Sequence, residues 1–161
     1  VKPTTPRGQL PLLKIDGKQY TQSLAMQRYA AKKAGFYPTD DIDALVCDEC
    51  CDTLEEFLLK FPFAAKDEEE KKAKRAEFVK GPMTEISKFI EQKIQDAGGK
   101  GFVASGPSVA DIMLMVNVKS VESGFMDYIN TDFYTNYPGI TAVTTAMKEH
   151  PKVKAYYDSL N

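Results

Sequence analysis

Two short pairs, Leu10-Pro11 and Gln22-Ser23, are the residues of this 161-residue chain whose types and spacing best suit the capture of a small molecule. Proline lacks an N–H, so Pro11 at the head of the apolar run Leu12, Leu13, Ile15 marks a sheet edge or a tight turn, with a cis bond as one option. The backbone of Leu10 is then available to pair with an extended peptide, as an added strand would. Ser23 carries an N-cap side chain ahead of a helix-forming run from Leu24 to Lys33, closed by Gly35. A helix start exposes unpaired N–H groups and partial positive charge, which suit a carboxylate or phosphate. The two pairs together describe a notch for a peptide-like ligand with an acid at one end.

Other chemistry-bearing groups read as structure. Cys47, Cys50 and Cys51 are an odd number within one expected helix, and the only histidine, His150, lies far along the chain between Glu149 and Pro151. A zinc site needs a fourth ligand, so the thiols read as small core residues and no metal is expected. Asp52, Glu55 and Glu56 share one helix face at i, i+3 and i+4, where like charges repel and invite a cation or solvent. Ser108 and Asp111 have the spacing of a capping box, and a catalytic Ser/Asp pair would lack its histidine. Tyr156 and Tyr157 read as surface packing or capping residues.

The elements that must position these groups follow from turn chemistry and periodicity. Asp16-Gly17 predicts a tight hairpin between the apolar run and a return strand over 18–21. Phe36 to Asp40 reads as a linker with a boundary near residue 37, and everything beyond reads as helix. Cys47, Cys50, Leu54, Phe57, Leu58 and Phe61 form one apolar stripe on a helix over 43–61. Residues 67–75 read as an exposed helix segment with Glu68–Lys72 and Glu70–Lys74 pairs. Gly81-Pro82 breaks or kinks it before Met83, Ile86, Ile90 and Ile94 resume the stripe, which Gly98-Gly99 ends. Ile112 to Val118 is apolar on every side, which predicts a central helix buried all round. Pro138-Gly139, His150 and Pro151 punctuate two last helices, over 140–149 and 153–160.

Composition bounds the function classes. With 43% apolar residues, 27% charged residues and net charge -2, the chain has a globular composition and no basic block for nucleic acid. It has no apolar run of the ~20 residues needed to span a bilayer and no signal-peptide pattern, which makes a cytoplasmic location the expectation.

Pro6-Arg7-Gly8-Gln9-Leu10-Pro11, Ile15-Asp16-Gly17, Gln22-Ser23-Leu24-Ala25 and Arg28-Tyr29 together resemble the glutathione-binding half of a glutathione S-transferase, most closely of the sigma class. The resemblance extends, more weakly, to Lys152. It implies an α+β fold: residues 1–36 as the C-terminal part of a thioredoxin-like domain, a β-hairpin plus helix, and 37–161 as an all-α helical bundle domain. It also implies that Leu10, before a cis Pro11, pairs with the cysteinyl part of glutathione, that Gln22 and Ser23 take its γ-glutamyl carboxylate, and that Lys2 and Gln9 hold its glycyl end.

By the same resemblance Glu56 reaches the ammonium of a neighbour's glutathione across a homodimer interface, and Phe63, Met113 and Asn117 line an electrophile pocket. Haematopoietic prostaglandin D synthases, which are similar, bind a divalent ion at such an interface cluster. Here Glu55 and Glu56 stand for two of the three aspartates, so no ion is expected. The family's catalytic hydroxyl, usually a tyrosine, lies in a strand-helix-strand segment that the resemblance places upstream of Val1, and no catalytic residue is expected in this sequence. The implied function is a cytoplasmic, detoxifying glutathione transferase acting on small electrophiles. The alternative is a non-catalytic, crystallin-type or scaffolding relative. Prostaglandin isomerisation would use the same glutathione site, but its pocket residues match poorly.

Overall fold

The computed structural model describes residues 5–160. Strands β1 (Leu13–Ile15) and β2 (Lys18–Tyr20) pair antiparallel with Leu13 opposite Tyr20 and Ile15 opposite Lys18. Asp16 and Gly17 turn the chain with φ of 48° and 79°, the left-handed geometry that a two-residue hairpin needs and that Asp-Gly accepts at low cost. Helix α1 (Ser23–Ala34) follows, and Gly35 ends it at φ 77° with its N–H returned to the Ala31 carbonyl.

The rest is helical: α2 (Asp41–Lys60), α3 (Glu68–Phe78), α4 (Thr84–Asp96), α5 (Val109–Glu122), α6 (Pro138–Glu149) and α7 (Pro151–Asp158). Asp40 caps α2 by accepting from the N–H groups of Ile42 and Asp43, and Asp67 caps α3 by accepting from Glu70. Helices α3 and α4 join through one π-helical turn, Val79–Met83, that contains Pro82. Proline in an α-helix collides with the carbonyl four residues back, and the wider turn avoids this. The Thr84 hydroxyl donates to the Val79 carbonyl at 2.6 Å, and the chain stays helical through Gly81-Pro82, where the sequence predicts a break or a kink.

The expected stripe is the core: Cys47, Cys50, Leu54 and Phe57 of α2 meet Met83, Ile86, Ile90 and Ile94 and the α5 residues Leu114, Val118 and Val121, all buried. The three thiols are buried in it as free cysteines. Burial raises the Cys50 thiol to about 12, the opposite of what a reactive cysteine needs.

Several expectations change. Helix α5 is not buried all round, because Val116 is 47% exposed and Ile112 and Met113 are only half-buried. Phe36, placed by composition in a linker, is buried in the common core, and its carbonyl accepts from Val109 N–H at 2.7 Å. Glu70 pairs with Lys74 at 3.2 Å as expected, but Lys72 takes Glu69, while Glu68 accepts from the Tyr128 hydroxyl.

Candidate functional site

The first site element is the chain ahead of β1. The Leu10–Pro11 bond is cis, and the β1–β2 ladder begins only at Leu13, so the backbone of Leu10 lies outside it with the residue 54% exposed. The second is the start of α1. Ser23 is its first residue rather than its cap, a correction to the sequence reading. The cap position is Gln22, which sits at φ 78° and makes no side-chain capping bond. A non-glycine residue at such an angle stores strain on the order of 1–3 kcal/mol. No acid occupies the first turn of α1, so its leading N–H groups have neither a capping side chain nor a local countercharge.

These two elements meet. Arg7, Gln9, Leu10, Pro11, Thr21, Gln22 and Ser23 line one cavity of about 80 Å3, open to solvent. Exposed peptide backbone on one wall and helix amides with a serine hydroxyl on the other can hold an extended peptide with a terminal carboxylate. Lys2, expected at the same end, lies outside the described residues.

Two of the three acids on that face of α2 have partners. Asp52 accepts from Arg28 at 2.6 Å, and Glu56 accepts from Lys60 one turn along at 2.8 Å, both at the surface. The cations that this acidic face invites are therefore side chains of the chain itself. Among the described residues no three His, Cys, Asp or Glu side chains are grouped to hold a metal ion.

The expected pocket residues do not behave alike. Phe63 is 68% exposed, and Met113 is half-buried on α5. Asn117 is buried and donates its amide to the Leu54 carbonyl at 3.4 Å, so it ties α5 to α2 instead of facing an open pocket. The reason is helical geometry: Met113 and Asn117 share a side in projection, but α2 closes over the lower end of it.

Sequence reasoning missed the groups that carry α1. Arg28 donates to Asp48 and to Asp52 at 2.6 Å each, and the Tyr37 hydroxyl donates to Asp48 at 2.9 Å. Burial alone would lower the guanidinium, but hydrogen bonds and charge from both aspartates reverse that and hold it above its ordinary value. Burial, and then the bond to Asp48, push the Tyr37 hydroxyl up to about 12. At the far end of α1 the Lys152 ammonium donates to the Ala34 carbonyl at 2.7 Å. The signal was faint: an arginine on a helix beside a chain segment with spaced acids is a common pattern.

Residues 52–160 match the family model described as glutathione S-transferase, C-terminal domain. The chain belongs to the glutathione S-transferase family. A glutathione S-transferase of Anopheles gambiae is 30% identical to it, over 97% of this chain and 75% of the relative. The haematopoietic prostaglandin D synthase of Gallus gallus is 27% identical over the same shares. The solved structure of prostaglandin synthase D of Nilaparvata lugens superimposes with a TM-score of 0.85 at 28% identity, covering 99% of this chain and 78% of that one. The expected α+β fold, hairpin and helix followed by a helical bundle, is that of these transferases. Glutathione is the family's co-substrate, and sigma-like relatives such as the prostaglandin synthase agree with the class read from the motifs.

Proposed function

We propose that this chain is a glutathione transferase that holds glutathione in the notch between Leu10-Pro11 and the start of α1 and passes its sulfur to a small electrophile. The observation that carries the reading is the meeting of an unpaired peptide edge and an uncapped, acid-free helix start in one small cavity. Leu10 pairs through its backbone with the cysteinyl part. Gln22 and Ser23 bind the γ-glutamyl carboxylate, and Gln9, together with Lys2, holds the glycyl end.

In the reaction the thiol proton leaves to solvent, a C–S bond forms, and the leaving group departs with the electron pair of the bond it gives up. A free thiol has a pKa of about 8.5, so a nearby hydroxyl or dipole must lower it. We assign no residue among 5–160 to that role. Phe63, in the segment after α2, and Met113, on α5, are the pocket residues we retain. Residues 1–36 form the glutathione-binding unit and 37–161 the helical one. The assembly is a cytoplasmic homodimer in which Glu56, released from Lys60, reaches the ammonium of the partner's glutathione. Among the described residues no helix is long and apolar enough to cross a membrane.

The test is calorimetric titration of the full-length protein with glutathione, alongside its thermal unfolding midpoint. At a hundredfold excess over the dissociation constant, binding adds about 2.7 kcal/mol to stability and raises the midpoint. No heat and no shift at millimolar glutathione would overturn the reading. Binding without conjugation of any tested electrophile would favour the crystallin-type alternative.

A further inference from the structure

Helix α1 behaves as a rod held at two points. Its C-terminal end is fastened by the Lys152 ammonium on the Ala34 carbonyl, and the adjoining Phe36 is fastened by Val109 N–H on its carbonyl and by the His150 ring at 5.0 Å. A rod fixed at one end can still swing. The second point is Arg28, which grips Asp48 and Asp52, one turn apart on the same face of α2. Between α1, α5 and α7 the helix faces diverge around an apolar groove of about 470 Å3, and Ala31 is the one residue of α1 buried in the core, so packing holds α1 weakly and the ion pairs carry much of the hold on its tilt. Ser23 lies five residues before Arg28, about 7–8 Å along the axis, so any swing about the far end is largest at the glutathione notch.

We propose that Arg28 is a positioning residue for the conjugation reaction: by clamping α1 to Asp48 and Asp52, it sets the aim of the notch relative to the helical bundle that holds the electrophile. This rests on the transferase reading above. Apart from the one contact that Glu56 makes across the dimer, glutathione contacts only groups at or before the first turn of α1, which move together with the rod, so its affinity depends little on the clamp. What depends on it is the distance and angle between the bound sulfur and an electrophile on α5 or beyond Phe61. Misplacement by about 1 Å in such a pair costs on the order of a hundredfold in rate. Arginine suits the role because its planar fork engages two carboxylates at once, which an ammonium does less well.

The experiment compares the full-length protein with Arg28→Met, Arg28→Lys and Asp52→Asn, using glutathione and chlorodinitrobenzene as probes. Folded fraction is fixed beforehand by circular dichroism at the assay temperature. The expected result for Arg28→Met is a glutathione dissociation constant within about twofold of the parent and a kcat at saturating glutathione lower by about ten- to hundredfold. Arg28→Lys recovers part of that loss. Asp52→Asn, at a carboxylate 62% exposed and tolerant of change, gives a smaller drop of the same kind and keeps the test open if Arg28→Met does not fold. Unchanged kcat in the folded variants would overturn the proposal, as would a loss confined to glutathione affinity. A parent protein that binds no glutathione would instead bring down the transferase reading on which it rests.

Discussion

The starts of α1 and α5 pose the same physical problem and receive opposite answers. Each exposes N–H groups that the helix cannot satisfy internally. At α5 the chain satisfies them itself: Val109 N–H donates to the Phe36 carbonyl at 2.7 Å, the Ser108 side chain accepts from Asp111 N–H, and the Asp111 carboxylate in turn accepts from Ser108 N–H and the Ser108 hydroxyl at 2.7 Å and from Phe102 N–H at 3.1 Å, with Ser108 and Asp111 both buried. Burial nonetheless raises the Asp111 carboxyl above its ordinary value, because those donors only partly replace water. At α1 no side chain closes the end, and its cap residue Gln22 is held at a strained angle. A satisfied helix start is architecture, and one left open beside an unpaired strand is a place for a ligand.

The sharpest way to break this contrast is Asp111→Ala. Three buried donors lose their acceptor, and the loss should be about 3–5 kcal/mol of folding stability, read from the urea midpoint, with glutathione affinity of the folded fraction unchanged. A parallel loss of affinity would show that the two helix starts are not independent. Next comes the start of α6, also closed by the chain: Glu91 accepts from Gly139 N–H at 2.8 Å and Ile140 N–H at 2.9 Å. A methyl group at residue 139 would stand 2.8 Å from that carboxylate and 2.9 Å from the Gln95 amide, so Gly139→Ala should cost about 1–3 kcal/mol, seen as a lower thermal midpoint.

Ser23→Ala should do the reverse of Asp111→Ala. Stability should stay within about 0.5 kcal/mol, since the hydroxyl makes no capping bond, while glutathione affinity falls by about five- to tenfold in calorimetry. Gln22→Gly relieves the positive φ and should raise stability by up to about 1 kcal/mol while weakening glutathione. An unchanged affinity would remove Gln22 from the site.

The smallest effect is a pH dependence. Tyr37 has an ordinary value of 10.0, raised to about 12 in the fold. A group raised on folding contributes stability that is whole below its unfolded value and is lost as pH climbs through the folded one. Parent stability should therefore decline more steeply between pH 10 and 12 than that of Tyr37→Phe, in chemical unfolding across that range.

Legibility followed the range of the interaction. The hairpin at Asp16-Gly17, the capping box at Ser108 and the glycine stop at Gly35 were readable because each is settled within four residues by φ/ψ demands and local hydrogen bonds. Ser23 was misplaced by one position because Gln22, with no feature of a cap residue, takes the cap through backbone angle alone. Arg75 gave no warning at all. It lies in a strongly charged run, yet it is 4% exposed, donates to the Pro62 carbonyl and to Asp127 at 3.4 Å, and sits over the Phe61 ring.

The sequence by itself determined the menu of elements and the closed start of α5, since propensity, periodicity and capping act between near neighbours. Only the tertiary structure decided which distant groups meet: Arg28 with Asp48 and Asp52, Glu91 with the start of α6, and Leu10-Pro11 with the open end of α1. Such partners are selected by how helices pack, and a charged or polar side chain carries no mark of which far segment that packing will bring to it.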